Sequence, residues 1–121
     1  MDNRWVALGA LLAALAVGAG AFGAHALKGV LTPERLDVWR TAAHYHLVHA
    51  VALVAIGASA FGASPAAALG LRLLLVGTLI FSGTLYALCL TGRGWLGAVT
   101  PLGGTALIAG WLVLAFKAWS R

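Results

Sequence analysis

Four long apolar runs, separated by short polar segments, constrain the fold of this chain more than any other feature. The runs cover about residues 5–27, 41–61, 66–90 and 101–119. An α-helix rises about 1.5 Å per residue, so about 20 apolar residues cross the roughly 30 Å hydrocarbon core of a bilayer. The pattern therefore predicts an all-α fold, an integral membrane bundle of four transmembrane helices that forms a single domain over residues 1–121.

The composition indicates that the chain is surrounded by lipid and not by water. Charged residues make up 9% of the 121 residues and hydrophobic residues 62%, whereas a soluble domain carries about 25% charged residues. The net charge of +5 comes from eight Lys and Arg that are scattered along the chain. Because nucleic-acid binding requires a basic patch, we expect the lipid bilayer as a partner and no nucleic acid.

Each of the three prolines follows a hydroxyl residue where a helix should begin, in Thr32-Pro33, Ser64-Pro65 and Thr100-Pro101. Serine and threonine are preferred N-caps, and proline suits the first helical position. The second helix then starts with a short amphipathic extension, about two charged turns outside the hydrocarbon core. The helices are predicted at about 5–27, 33–62, 65–91 and 101–119.

The first run ends in Ala24-His25-Ala26, which has the A-x-A form of a signal-peptide cleavage site. Its length exceeds the typical apolar region of a signal peptide, about 7–15 residues. We therefore predict a helix that the mature protein retains.

Four spans place both termini on one side of the membrane, here named the terminus side, and residues 28–40 on the other, named the loop side. The terminus side carries Arg4, Arg72, Lys117 and Arg121. The loop side carries Lys28, Arg35, Arg40 and Arg93. The equal counts leave the positive-inside rule undecided. Because Arg4 flanks the first helix directly, we expect a multi-pass protein of the inner membrane with cytoplasmic termini.

The tryptophans follow the predicted membrane boundaries. Trp5, Trp39, Trp95 and Trp119 lie at span ends, as an aromatic belt requires. Trp111 lies in the middle of the fourth span. For this residue we expect packing or lipid contact.

Polar side chains concentrate in the loop-side half of the helices, which holds all four histidines and both tyrosines. Polar groups at membrane depth are costly unless paired, so they tend to face the bundle interior or a wet cavity. The pattern predicts one polar pocket that opens to the loop side. Its candidate residues are His25, Tyr45, His46, His49, Ser82, Tyr86 and Thr105.

Two other interpretations of the histidines stay open beside the pocket. Such side chains often only join neighbouring helices, at about 0.6 kcal/mol per hydrogen bond. The spacing of His46 and His49 could also chelate a metal with His25 as a third ligand, or a haem could lie between His25 and His49. Since no cysteine or carboxylate shares that face, we expect no metal and no cofactor.

The chain shows no constellation of residues typical of a hydrolase. Its three carboxylates are Asp2, Glu34 and Asp37. Glu34 and Asp37 lie beside Arg35 and Arg40 on the amphipathic turns, where exposed helical ion pairs explain them. No enzymatic activity is therefore expected.

Four motifs resemble the signature of a family of small membrane proteins, domain of unknown function 423. They cover residues 20–27, 39–49, 81–86, and 100–104 together with 110–111. The family includes bacterial inner-membrane proteins and a small eukaryotic transmembrane protein. The resemblance implies a four-helix membrane protein without an established activity, cofactor or substrate.

These observations favour an accessory or scaffold component of the membrane, acting as a homo-oligomer or within a larger complex. Two alternatives remain. One is a transporter or channel for a small solute, protons or lipid that uses the one-sided polar pocket. The other is a metal or cofactor binder built on the histidines.

Overall fold

The computed structural model describes residues 3–120, which form four helices and no β-strand. Helix α1 spans Arg4–Ala26, α2 spans Pro33–Gly57, α3 spans Ala68–Thr91 and α4 spans Leu96–Trp119. The all-α prediction is confirmed. The predicted contributions of Asp2 and Arg121 lie outside the described residues.

Three helical segments are long and apolar enough to cross a membrane: Arg4–Ala26, Pro65–Thr91 and Leu96–Trp119. Helix α2 is not among them. It begins with charged turns and carries three histidines, and both features lower its hydropathy. The three apolar helices are those expected of a membrane protein. Hydropathy alone does not identify α2 as a fourth span.

Helix α2 begins as the Thr32-Pro33 pair predicts. The Thr32 Oγ1 accepts a hydrogen bond of 3.2 Å from the Arg35 backbone N–H, and Pro33 takes the first helical position. Helix α2 ends at Gly57, five residues earlier than expected, because the chain then turns back through hydrogen bonds such as Ser59 N–H to the Ile56 carbonyl. This turn sets the connection to α3.

The other two proline pairs depart from the prediction in different ways: helical structure begins at Pro65 as predicted but without a Ser64 cap, and Pro101 lies inside a helix. A single 3-10 turn over Pro65–Ala67 precedes α3, and Ser64 provides no side-chain cap. Helix α4 starts at Leu96, so the predicted start at Pro101 is wrong. Hydrogen bonds from Leu96 N–H to Arg93 O and from Gly97 N–H to Gly94 O wind the chain into a helix before the proline.

Helices that follow one another in sequence pack side by side, and the interface of α3 with α4 is the most extensive. Glycines permit this close approach. A Cβ atom on Gly103 would lie 2.8 Å from Phe81 Cα and 2.9 Å from the Gly77 carbonyl oxygen. The backbones of α3 and α4 are therefore in direct contact.

The buried apolar side chains form two clusters. The larger one includes Leu53, Leu71 and Leu107 and lies toward the terminus side. The smaller one surrounds Trp39 and Cys89 at the loop side. The polar residues of interest lie between these two clusters.

Helix α1 contains a π-helical segment, Gly18–Gly23. Trp39 Nε1–H donates a 2.8 Å hydrogen bond to the Ala19 carbonyl in this segment. Trp39 is only 8% exposed, so it fastens α2 to α1 instead of facing the membrane interface as predicted. The Ala19 carbonyl also accepts the π-type hydrogen bond from the Ala24 backbone N–H, so the indole is its second donor.

Candidate functional site

The structure divides the predicted pocket residues between two faces of α2. Tyr45 and His49 turn toward α4, whereas His46 turns toward α1 and α3. Neighbouring residues of an α-helix point about 100° apart, so Tyr45 and His46 cannot share a face. The single pocket predicted from the sequence is therefore two separate grooves.

The first groove, named the His49 groove, is about 340 Å³ in volume. Its His49 side chain has a partner on each ring nitrogen. Nε2 lies 3.0 Å from Trp111 Nε1, and Nδ1 lies 2.7 Å from the Tyr45 carbonyl oxygen. The groove is lined by Tyr45, His49, Phe81, Gly104, Leu107, Ile108 and Trp111.

These two hydrogen bonds assign the proton of His49. An indole N–H can only donate and a carbonyl can only accept. Nε2 must therefore accept from Trp111, while Nδ1 carries the proton and donates to Tyr45. His49 is thus a neutral imidazole with both nitrogens occupied, and it joins α2 to α4.

The second groove, named the His46 groove, is about 160 Å³ in volume. His46 Nδ1 lies 3.0 Å from the Tyr86 hydroxyl, and the Ser82 hydroxyl donates a 2.8 Å hydrogen bond to the Ala42 carbonyl. Both contacts join α2 to α3. The groove is lined by Leu12, Leu15, His46, Thr78, Leu79, Ser82, Gly83 and Tyr86.

His46 differs from His49 in one respect. It is 7% exposed, and among the described residues its Nε2 is the buried side-chain polar atom that no protein atom hydrogen-bonds. Buried polar atoms without a partner are rare in folded proteins and call for an explanation. The His46 groove therefore holds an unused hydrogen-bonding group.

Two residues of the predicted pocket join neither groove. His25 is exposed in the last turn of α1. Thr105 is also exposed, and its hydroxyl donates to the Pro101 carbonyl of its own helix at 2.8 Å. Both fall at the expected depth, but neither side chain faces the lining residues of a groove.

The structure shows hydrogen bonds between helices that the sequence did not predict. Trp111, expected to pack or to contact lipid, supplies the hydrogen bond to His49. The Thr84 and Thr100 hydroxyls lie 2.7 Å apart and join α3 to α4. Depth along each helix could have suggested such pairs, but the sequence does not fix the rotation of one helix against the next.

The charged turns of α2 also contact α3. Arg35 Nη1 donates a 2.8 Å hydrogen bond to the Leu88 carbonyl, near the C-terminal end of α3. This carbonyl also accepts from the Gly92 backbone N–H, so Arg35 is its second donor, and a cation at this end of a helix interacts favourably with the helix dipole. Of the expected ion pairs, Asp37 and Arg40 approach to 3.8 Å on the surface.

Within residues 3–120, no group of three or more His, Cys, Asp and Glu side chains is placed to hold a metal ion. His46 and His49 do not converge, because each bonds to a different neighbouring helix. Their His-x-x-His spacing serves two helix contacts.

Comparison with known proteins finds sequence similarity along most of the chain. The model of the family described as "Protein of unknown function (DUF423)" matches residues 19–104. A UPF0382 membrane protein of Staphylococcus haemolyticus is 44% identical over 110 residues, which cover 91% of this chain and 90% of the relative.

Two further relatives show that the similarity extends beyond one genus. The UPF0382 membrane protein YwdK of Bacillus subtilis is 42% identical over 119 residues, covering 94% of each chain. A UPF0382 membrane protein of Haemophilus influenzae is 36% identical over 116 residues, covering 96% of this chain and 94% of the relative. No solved structure matches the chain. This protein therefore belongs to the DUF423 family and is an integral membrane protein.

Proposed function

We propose that this protein is a four-span, multi-pass component of the inner membrane that acts as an accessory or scaffold subunit. The observation that carries the proposal is the use of its polar side chains. The imidazole of His49, the hydroxyl of Ser82 and the indole of Trp39 all bond to neighbouring helices. The polar side chains thus fasten the bundle and leave little for solute coordination.

Helix α2 is proposed as the fourth span, and with α1, α3 and α4 it makes one domain. Residues 41–57 alone measure about 25 Å at 1.5 Å per residue, close to the roughly 30 Å hydrocarbon core. Helix α2 also contributes more buried residues than any other helix. Because His46 and His49 face its neighbours, its low hydropathy does not prevent it from crossing the bilayer.

A transport path through one copy has little support. The larger apolar cluster fills the terminus-side half of the bundle with side chains such as Leu53, Leu71 and Leu74, each fully buried. Both grooves have apolar side chains over most of their linings. A solute that entered from the loop side would meet a closed apolar layer.

Side-specific cysteine labelling tests the four-span arrangement. In a Cys89→Ser background, Val30→Cys and Ala63→Cys place a thiol in the two connections that flank α2, both at exposed positions. Ser120→Cys marks the C-terminal end. If α2 crosses the membrane, a membrane-impermeant maleimide labels Val30→Cys from one side and the other two from the opposite side. Labelling of Val30→Cys and Ala63→Cys from the same side refutes the fourth span.

Liposome flux and native size test the accessory role. Pure protein in liposomes should conduct protons and small solutes no faster than empty liposomes. In native membranes solubilised with mild detergent, the protein should migrate as a homo-oligomer or within a larger complex. Protein-dependent flux favours the transporter, and a strictly monomeric species in native membranes overturns the scaffold.

The labelling experiment also gives the orientation. We propose that both termini are cytoplasmic, on the strength of Arg4 beside the first span. Labelling of Ser120→Cys by an impermeant reagent added outside intact cells would reverse this assignment.

A further inference from the structure

We propose that the His46 groove binds a membrane-soluble molecule whose six-membered ring bears a carbonyl group, of the lipophilic quinone class. The carbonyl oxygen accepts a hydrogen bond from His46 Nε2–H. This assignment goes beyond the accessory role and does not depend on it, but it rests on the proposed four-span arrangement.

The hydrogen bond to Tyr86 indicates which imidazole nitrogen carries the proton. If the Tyr86 hydroxyl donates to Nδ1, one N–H on Nε2 remains without a partner. If Nδ1 donates instead, both the Tyr86 hydrogen and Nε2 remain without a partner. The first arrangement leaves fewer buried polar groups unsatisfied, and each such group costs about 1–3 kcal/mol. His46 therefore presents a donor.

Within the described residues, no protein group makes a hydrogen bond of ordinary geometry to this nitrogen. The Leu12 backbone is the one protein acceptor that interacts with the ring, and it does not meet that geometry at Nε2. The Ser82 hydroxyl donates to Ala42, and the Thr78 hydroxyl donates to Leu74. An acceptor that completes the site must come from outside the chain.

The position of the groove indicates whether its ligand comes from water or from the bilayer. Its rim carries Leu15 and Leu79, which are 56% and 53% exposed. His46 is seven residues along α2 from Trp39, about 10 Å at 1.5 Å per residue. In the four-span arrangement the groove faces acyl chains, so its ligand is soluble in the bilayer.

The size and lining of the groove favour a ring. A cavity of about 150 Å³ accepts benzene, and the His46 groove is about 160 Å³. Leu12, Leu15 and Leu79 provide apolar walls, while Tyr86 lies beside the imidazole at a ring-centroid distance of 5.9 Å. A flat ring fits between these apolar walls, and a carbonyl at its edge accepts the hydrogen bond from His46 Nε2–H.

The test uses the full-length protein with ¹⁵N-labelled histidine in lipid nanodiscs, and a decyl-substituted benzoquinone as the probe. Titration should shift the His46 Nε2 resonance saturably and leave that of His44, an exposed residue of the same helix, unchanged. Decylbenzene, which lacks the carbonyls, should bind about tenfold more weakly, as expected for the loss of one hydrogen bond. No saturable His46 shift, or equal shifts with both probes, overturns the proposal.

A matched pair of glycine variants locates the binding. A Cβ at Gly83, which lines the groove, meets no atom within 4 Å, and the same holds at Gly97 in the first turn of α4. Gly83→Leu places a bulky side chain on the wall of the groove and should abolish saturable binding. Gly97→Leu should bind the probe as the wild type does. Wild-type affinity in Gly83→Leu overturns the assignment of the site. The comparison of the decyl-substituted benzoquinone with decylbenzene tests the proposed hydrogen bond independently of both variants.

Discussion

The contact between α3 and α4 predicts opposite effects for the same substitution at two adjacent glycines. In Gly103→Ala the new Cβ would lie 2.8 Å from Phe81 Cα and 2.9 Å from the Gly77 carbonyl oxygen. The Phe81 backbone nitrogen would be closer still, and ordinary contact begins at 3.4 Å, so the two backbones must separate by more than 0.6 Å. In Gly104→Ala the nearest atom is Phe81 Cδ1 at 3.6 Å, which needs no movement.

The expected difference between the two variants follows from overpacking. Extra methyl groups in a well-packed core cost about 1–3 kcal/mol. Both substitutions gain the same helix propensity, up to about 1 kcal/mol for glycine to alanine. That term cancels when the two variants are compared. Gly103→Ala should therefore be less stable than Gly104→Ala by about 1–3 kcal/mol.

Reversible unfolding in mixed micelles, followed by circular dichroism, measures this difference directly. A second observable is the hydrogen bond between the Thr84 and Thr100 hydroxyls, which crosses the same interface at 2.7 Å. Separation of the helices should weaken it, so Thr84→Val should cost less in the Gly103→Ala background than in the wild type. Equal stabilities of the two alanine variants would refute the close packing of α3 on α4.

Three further substitutions test the hydrogen bonds that join the helices, with the same unfolding measurement. Trp39→Phe keeps the ring but loses the bond to the π-helical segment, and should cost about 0.6 kcal/mol; the exposed Trp95→Phe should cost nothing measurable. Trp111→Phe leaves the His49 Nε2 unpaired and should cost about 1 kcal/mol, a loss that disappears if His49→Leu is already present. Arg35→Met keeps the aliphatic stem but loses the carbonyl contact, and should cost about 0.3–1 kcal/mol, less at high salt.

The local chemistry of the sequence predicted the helices well where one signal acted alone. Thr32 and Pro33 fix the start of α2, because Thr32 caps the first turn of the helix and Pro33 occupies its first position. At Pro101 the same signal failed, since the preceding turns from residue 93 onward had already formed hydrogen bonds. A proline near a helix start marks the first turns of a helix and not its first residue.

The candidate site was predictable in depth but not in direction. Composition along the chain placed the histidines in the loop-side half, and His46 and His49 are indeed buried. The sequence gives no rotation of one helix relative to another, so it could not separate the partners of these two side chains. Trp111 could not be linked to His49, because the two residues are 62 positions apart.

In the proposed four-span arrangement, the placement of α2 explains how one chain can combine a low-hydropathy helix with a membrane location. The helices that meet the hydropathy criterion expose large apolar side chains such as Leu11, Leu79 and Leu112. Helix α2 packs between α1 and α3, and its histidines bond to α3 and α4. An inner helix of a membrane bundle can carry polar residues provided that its neighbours satisfy them. Among the described residues, His46 Nε2 is the buried side-chain polar atom that they do not satisfy, which is why the proposed ligand is assigned to it.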